Sequence, residues 1–118
     1  MADNQTFNKL KTLLKCYEAN LTLLHDKADN YYLNTPISDI NKKSEFFGAV
    51  QIKKSYVAFH LMPIYYYPDL LNNISQDLKG RMQGKSCFNF KEIDDKLFKE
   101  LTTLTKKSFD LYKSIKKI

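Results

Sequence analysis

The segment from Gly80 to Cys87 concentrates side chains that could do chemistry. It reads Gly-Arg-Met-Gln-Gly-Lys-Ser-Cys, so a guanidinium, an ammonium and a thiol follow one another closely. Its glycines, lysine and serine are similar to the end of a phosphate-binding loop, but one residue fewer separates Gly80 from Gly84 than that motif needs. The predicted order of helix, loop and strand is also the reverse of the order that aims backbone N–H groups at phosphate. The segment is therefore not predicted to hydrolyse nucleotides.

A simpler anion site could still use Arg81 and Lys85. If Gly84 ends a helix in the left-handed conformation, Arg81 lies in the last helical turn and Lys85 just beyond it. Two cations beside the strand that carries His60 would form the lip of a shallow cleft for a carboxylate or phosphate. The alternative is a plain helix-stop turn, in which Arg81 reaches the carbonyls of its own helix end or pairs with Asp77.

Cys87 is the second reactive group of this segment. It could act as a nucleophile only if a base such as His60 or His25 lay beside it and lowered its pKa. Because Phe88 and Phe90 flank it in a short predicted strand, it is interpreted instead as a small buried hydrophobic residue. The alternative is an enzyme or small-molecule site built around four side chains: His60, Arg81, Lys85 and Cys87.

Two groups of side chains could bind a metal, because carboxylates and imidazole suit iron and similar ions. The first group is His25, Asp26 and Asp29, and the second is Glu92, Asp94 and Asp95. Neither group has a recognised ligand spacing. The second group also has a structural explanation, since acids cap helices and are favourable at a helix N-terminus.

The helices that must position these residues are predicted from apolar periodicity. Apolar side chains recur at helical spacing over residues 7–17 and again over residues 97–115. Asp94 is a natural N-cap for the second of these helices. Ser75 can cap a shorter helix that ends at Gly84.

The strands are predicted from short apolar runs and from alternation. Residues 21–25 and 31–33 predict two short strands, residues 46–53 and 56–61 predict an antiparallel hairpin, and residues 86–90 predict a last strand. Together with the helices, they predict an α+β fold. Its small, mainly antiparallel sheet is packed by the N-terminal and C-terminal helices.

Composition limits the class of protein. The chain has 118 residues, the size of one domain over residues 1–118. Cys16 and Cys87 form no C-x-x-C pair, and the first residues show no basic and apolar signal pattern, which predicts free thiols in the cytoplasm. The longest stretch without charged residues, 55–68, is too short to span a membrane, so no membrane association is predicted.

The net charge of +6 arises from an excess of basic residues after residue 45. Such a chain can attract phosphates or acidic partners. On the last predicted helix, however, the lysines lie opposite the apolar face, which is typical of a solvated surface. These lysines are Lys99, Lys106, Lys113 and Lys117. No motif for specific nucleic-acid recognition is present in the sequence, so none is predicted.

Four blocks of sequence resemble the YdhG-like family of bacterial domains. They are Tyr-Tyr-Leu-Asn-Thr-Pro at 31–36, Phe-Gly-Ala-Val at 47–50, Tyr-Val-Ala-Phe-His-Leu-Met-Pro at 56–63 and Arg-Met-Gln-Gly-Lys-Ser-Cys-Phe-Asn-Phe at 81–90. The resemblance covers nearly the whole chain and implies an α+β fold with a largely antiparallel sheet. One branch of the family is described as a frataxin-like intracellular iron chaperone, which implies iron as a cofactor or cargo. Frataxin-like iron binding relies on an acidic surface, whereas the excess charge here is positive.

These observations predict a cytoplasmic, single-domain protein with a non-enzymatic binding or accessory role. Iron handling, with Glu92, Asp94 and Asp95 as ligands, is the most specific version of that role. The expected partner is a small anionic ligand, held by His60, Arg81, Gly84 and Lys85, or another protein.

Overall fold

An antiparallel sheet organises the part of the chain that this computed structural model describes, residues 4–39 and 41–118. Its five strands lie side by side in the order in which they occur along the chain. Each strand therefore pairs with the next one through a hairpin or a longer excursion. The strands are β1 (Thr22–Lys27), β2 (Asn30–Asn34), β3 (Phe46–Ile52), β4 (Val57–Leu61) and β5 (Cys87–Phe90).

Two long helices cover one face of this sheet. They are α1 (Asn4–Lys15) and α4 (Asp95–Ser114), and they contact each other as well as the core. The predicted cap of α4 is confirmed, because the carboxylate of Asp94 accepts a hydrogen bond from the backbone N–H of Leu97 at 2.8 Å. Shorter elements connect β4 to β5: α2 (Pro63–Tyr66), α3 (Gln76–Lys79) and a 3₁₀ turn (Pro68–Leu71). The α+β prediction is thus confirmed.

Gly48 in β3 allows α1 to lie close to the sheet. A Cβ atom at this position would be 3.0 Å from the carbonyl oxygen of His60 and 3.2 Å from a methyl group of Leu14. The helix can therefore pack its buried Leu14 directly on the strand backbone. This close approach makes the sheet and α1 parts of one core, which also includes Phe59, Leu101 and Tyr112.

Alternation along the strands divides the sheet into two faces. Tyr31, Val50 and Phe59 are fully buried on the face packed by the helices, and they pair in register across β2, β3 and β4. The residues that alternate with them form a second row, on the opposite face. Following the register from β1 to β5, that row is His25, Tyr32, Ala49, His60 and Cys87.

The chain around Gly84 differs from the prediction. Gly84 has the predicted left-handed backbone, with φ of 77°, but α3 ends at Lys79, five residues earlier, so the prediction that Gly84 stops a helix is wrong. The chain instead turns back on itself there: Met82 forms a bridge with Phe88, and the N–H of Gln83 donates to the carbonyl of Cys87 at 2.9 Å. A left-handed glycine suits such a tight reversal. Arg81 consequently follows the helix and is not in its last turn.

Of the four lysines predicted to form a solvated row, three lie on α4 and the fourth, Lys117, lies beyond its end. Lys99, Lys106 and Lys113 are exposed, and Lys106 pairs with Asp110 at 2.7 Å. Lys117 differs, because it pairs with Glu45 at 2.7 Å and its ammonium lies 5.3 Å from the ring centre of Tyr112. Within residues 4–39 and 41–118, no helix combines the length and the apolar character that crossing a membrane requires.

Candidate functional site

His60 and Cys87 meet on the face of the sheet that points away from α1 and α4. They are cross-strand partners in the antiparallel pair of β4 and β5, so their side chains point the same way. The Nε2 atom of His60 lies 3.9 Å from the Sγ atom of Cys87, and both residues are half-buried. The structure thus brings together two of the four residues of the predicted enzyme or small-molecule site.

A shallow open depression of about 320 Å³ surrounds this pair. Its floor includes Ala58, which lies in register between Gln51 of β3 and Asn89 of β5. Because alanine is small, the two amide side chains stand on either side of a low point in the sheet. The complete lining is Gln51, Lys53, Tyr56, Ala58, His60, Gln83, Cys87 and Asn89.

Hydrogen bonds fix the orientation of Asn89 in this depression. Its amide nitrogen donates to the side-chain oxygen of Gln83, and its backbone N–H donates to the carbonyl of Arg81 at 2.8 Å. Its side-chain oxygen consequently faces Cys87, whose thiol donates to it at 3.4 Å. Three different chemical groups, an imidazole, a thiol and an amide carbonyl, therefore lie next to one another in the depression.

The electrostatics keep the central pair uncharged at neutral pH. Burial lowers the pKa of His60, and the positive charge of Lys53 lowers it further. Burial also raises the pKa of Cys87, although Lys53 acts in the opposite direction on that thiol. A neutral thiol beside a neutral imidazole lacks the thiolate and imidazolium charges that activate a cysteine nucleophile.

The other predicted anion ligands do not line this depression. Arg81 lines a separate one beside α3 and α4, together with the acidic residues Asp77 and Asp94. Lys85 extends over the ring of Tyr65, with its ammonium 5.8 Å from the ring centre. The predicted lip of Arg81, Gly84 and Lys85 beside His60 depended on a helix that ended at Gly84. Since α3 ends earlier, Arg81 and Lys85 do not flank the end of a helix, and their side chains lie in the separate places just described.

The acidic residues at the start of α4 are engaged in the fold. Asp94 caps the helix, and Asp95 pairs with Lys9 of α1 at 3.2 Å. Glu92 lines a shallow depression that also includes Lys9.

In the first predicted metal group, Asp26 pairs with Lys11 at 2.7 Å. Across residues 4–39 and 41–118, no cluster of three or more His, Cys, Asp or Glu side chains has an arrangement that could hold a metal ion.

A further acid of α4 joins two helices. The carboxylate of Glu100 accepts from the backbone N–H of Ser75 at 2.8 Å and from its hydroxyl at 2.7 Å. The same hydroxyl accepts from the backbone N–H of Leu78 at 3.1 Å, which caps α3. Glu100 therefore holds the start of α3 against α4.

Sequence reasoning missed six residues of the depression: Gln51, Lys53, Tyr56, Ala58, Gln83 and Asn89. Part of the signal was available, because Tyr56, Ala58 and His60 alternate along one strand, as do Cys87 and Asn89 along another. The register of β3, β4 and β5 brings these sets together. That register cannot be read from the alternation within each strand.

The geometry is that of a small α+β domain with a shallow polar depression, whose lining includes an uncharged imidazole and thiol and one lysine. The chain matches no protein-family model, no curated protein and no solved structure with which it was compared.

Proposed function

We propose that the protein is a non-enzymatic binding protein of the YdhG-like family, and that the depression around His60 and Cys87 holds its ligand. One observation carries the proposal. Hydrogen-bonding side chains from β3, β4 and β5 and from the 81–83 segment converge on one open depression, and the floor of this depression includes the small residue Ala58. Concave sites with a few convergent polar groups are the usual form of small-molecule sites.

The chemistry of the lining favours a small anionic ligand with a polar body. Lys53 supplies the positive charge for a carboxylate or phosphate, and the amides of Gln51 and Gln83 can donate to and accept from the rest of the molecule. The depression is near the lower end of the volumes of small-molecule sites. Lys53 thus takes the role that the sequence suggested for Arg81 and Lys85.

The uncharged state of His60 and Cys87 supports binding over covalent catalysis, since a thiol with a raised pKa is a weak nucleophile. Iron handling is the role implied by the resemblance alone. Its candidate ligands Asp94 and Asp95 already have protein partners, so the anionic ligand is favoured over iron. The free thiols of Cys16 and Cys87 are consistent with the reducing cytoplasm that we propose as the location.

A thermal-shift screen against carboxylated and phosphorylated metabolites tests this proposal. A ligand present at one hundred times its Kd stabilises the folded state by about 2.7 kcal/mol. The decisive variant is Lys53→Gln, and its matched control is Lys54→Gln, which removes the same charge from the neighbouring exposed residue outside the depression.

We expect a binding metabolite to raise the melting temperature of the wild type and of Lys54→Gln, and to lose at least about tenfold in affinity with Lys53→Gln. Equal losses in both lysine variants would indicate a general effect of net charge and would contradict the proposal. A screen in which no anionic compound stabilises the wild type would also contradict it.

A further inference from the structure

Cys87 and His60 present two atoms that bind metals well, at a distance that a single metal ion could bridge. Thiolate sulfur and imidazole nitrogen are the preferred ligands of zinc in proteins. Here they are supplied by adjacent strands whose register fixes them opposite each other, with Sγ and Nε2 separated by 3.9 Å. We infer that Cys87 and His60 form a binding site for one Zn²⁺ ion, with the side-chain oxygen of Asn89 as a third protein ligand and water in the open position.

The separation of the two atoms fits this metal. Zinc forms bonds of about 2.3 Å to sulfur and about 2.05 Å to imidazole nitrogen. Two such donors lie about 3.6 Å apart at a tetrahedral angle and about 4.4 Å apart in a straight line. The observed 3.9 Å falls between these limits and corresponds to an angle of about 125° at the metal. The ion fits between Cys87 and His60 after small side-chain adjustments.

Asn89 strengthens the inference independently of that distance. Its side-chain oxygen is directed at Cys87 because its amide nitrogen donates to Gln83. In the metal-free state this oxygen accepts the thiol hydrogen. When zinc binds, the S–H bond is exchanged for an S–Zn bond, the proton passes to solvent, and the oxygen becomes available to the metal. The side-chain oxygen of Gln83, which accepts from the amide nitrogen of Asn89, then acts as the outer-shell support that holds this ligand in place.

The open side of the depression leaves room for the fourth ligand. Water fills it in the simplest case. Lys53 lies on the rim, where its charge opposes the cation and favours an anion as the fourth ligand. This inference uses the depression of the proposed function but does not rest on it. Lys53→Gln separates the two, because it weakens the binding of an anion and leaves zinc affinity unchanged or raises it.

Cobalt titration of untagged protein tests the site, because Co²⁺ replaces zinc and its bond to a thiolate produces a charge-transfer absorption. Cys16 is an exposed free thiol and could bind cobalt by itself, so Cys16→Ser is the starting protein. To it are added Cys87→Ser, His60→Gln and Asn89→Ala, each checked for folding by circular dichroism. Zinc affinity is then measured by competition with a chromophoric chelator.

We expect Cys16→Ser to bind one metal ion with the charge-transfer band present, and Cys87→Ser to abolish that band. His60→Gln should weaken zinc binding by about tenfold or more, and Asn89→Ala by roughly 10-fold. Zinc should also release about one proton from Cys16→Ser at neutral pH and affect the amide resonances of β4 and β5. These last two readouts need no variant of the site. A band that survives Cys87→Ser, or the absence of saturable binding to Cys16→Ser, would overturn the inference.

Discussion

The start of α4 and the depression on the opposite face of the sheet use polar side chains in contrasting ways. Along α4, Asp94, Asp95 and Glu100 each have a backbone or side-chain partner within the protein. In the depression, His60 and Lys53 face an open volume. Polar groups that are paired with their own chain stabilise the fold, whereas groups that face open volume are available to a ligand. The comparison predicts that substitutions in the first region change stability, and that substitutions in the second change binding.

The largest expected effect on stability lies in the apolar face that anchors α4. Leu101 is fully buried, so Leu101→Ala should lower the free energy of unfolding by about 2–5 kcal/mol. Lys99→Ala, on the exposed face of the same helix, should change it by less than about 0.5 kcal/mol. Chemical denaturation of both variants measures the difference. A loss below about 0.5 kcal/mol for Leu101→Ala would remove α4 from the core.

The acid that joins α3 to α4 should have the next largest effect. Glu100→Ala removes two hydrogen bonds to a charged group, and we expect a loss of about 1.5–3 kcal/mol in the free energy of unfolding. The amide protons of α3 should also exchange faster with solvent, since Ser75 loses its partner. Unchanged stability and unchanged exchange would show that the link between the helices does not stabilise the fold. That result would contradict the statement that the paired acids of α4 act on stability.

The capping acid distinguishes a structural role from iron binding. Asp94→Ala should cost about 1 kcal/mol because it leaves the N–H of Leu97 without its acceptor. If the role of Asp94 is structural, calorimetry with ferrous and ferric iron should give the same weak heats for the wild type and for this variant. Tight iron binding that disappears with Asp94→Ala would support the iron-handling role and reverse the comparison.

The smallest expected effect is a pH dependence centred on the depression. The pKa of His60 is lowered in the folded protein, so the unfolded chain binds more protons at acidic pH, and stability should fall as the pH drops below about 6.5. The charged or titratable groups next to His60 in the depression are Lys53, Tyr56 and Cys87. Denaturant melts between about pH 7.5 and pH 5 should show a shallower loss for His60→Gln than for the wild type. Parallel curves for the two proteins would mean that the protonation of His60 does not contribute to the pH dependence of stability.

The sequence was sufficient for much of the fold. The apolar stripe of residues 97–115, the cap at Asp94 and the alternating pair of β3 and β4 are local patterns, and local patterns follow from helix and strand periods. The α2 helix (Pro63–Tyr66) was missed because four residues are too few to show a helical period. The path around Gly84 was predicted wrongly, because a left-handed glycine fits a helix end and a tight reversal equally well.

The site was predictable only in part. His60 and Cys87 were named because imidazole and thiol are reactive wherever they occur, and their meeting required the register of β4 and β5. Gln51 and Asn89 carry no reactive group, so they gained significance only when the sheet placed them on either side of Ala58. Arg81 lines a separate depression and Lys85 lies over the ring of Tyr65, because closeness along the chain does not fix the direction of side chains across a turn.

The reversal at Gly84 has a consequence for the thermodynamics of binding. Its backbone hydrogen bonds tie Gln83 to Cys87 and Arg81 to Asn89, so the wall that carries Gln83 is attached to β5, the strand beside the floor at Ala58. The two walls therefore keep their separation in the empty protein, and a ligand gives up little conformational entropy when it orders them. Flexible surface loops that fold around a ligand bear that entropy loss at the moment of binding. If the depression holds a ligand as proposed, few contacts suffice, because its shape exists before the ligand arrives.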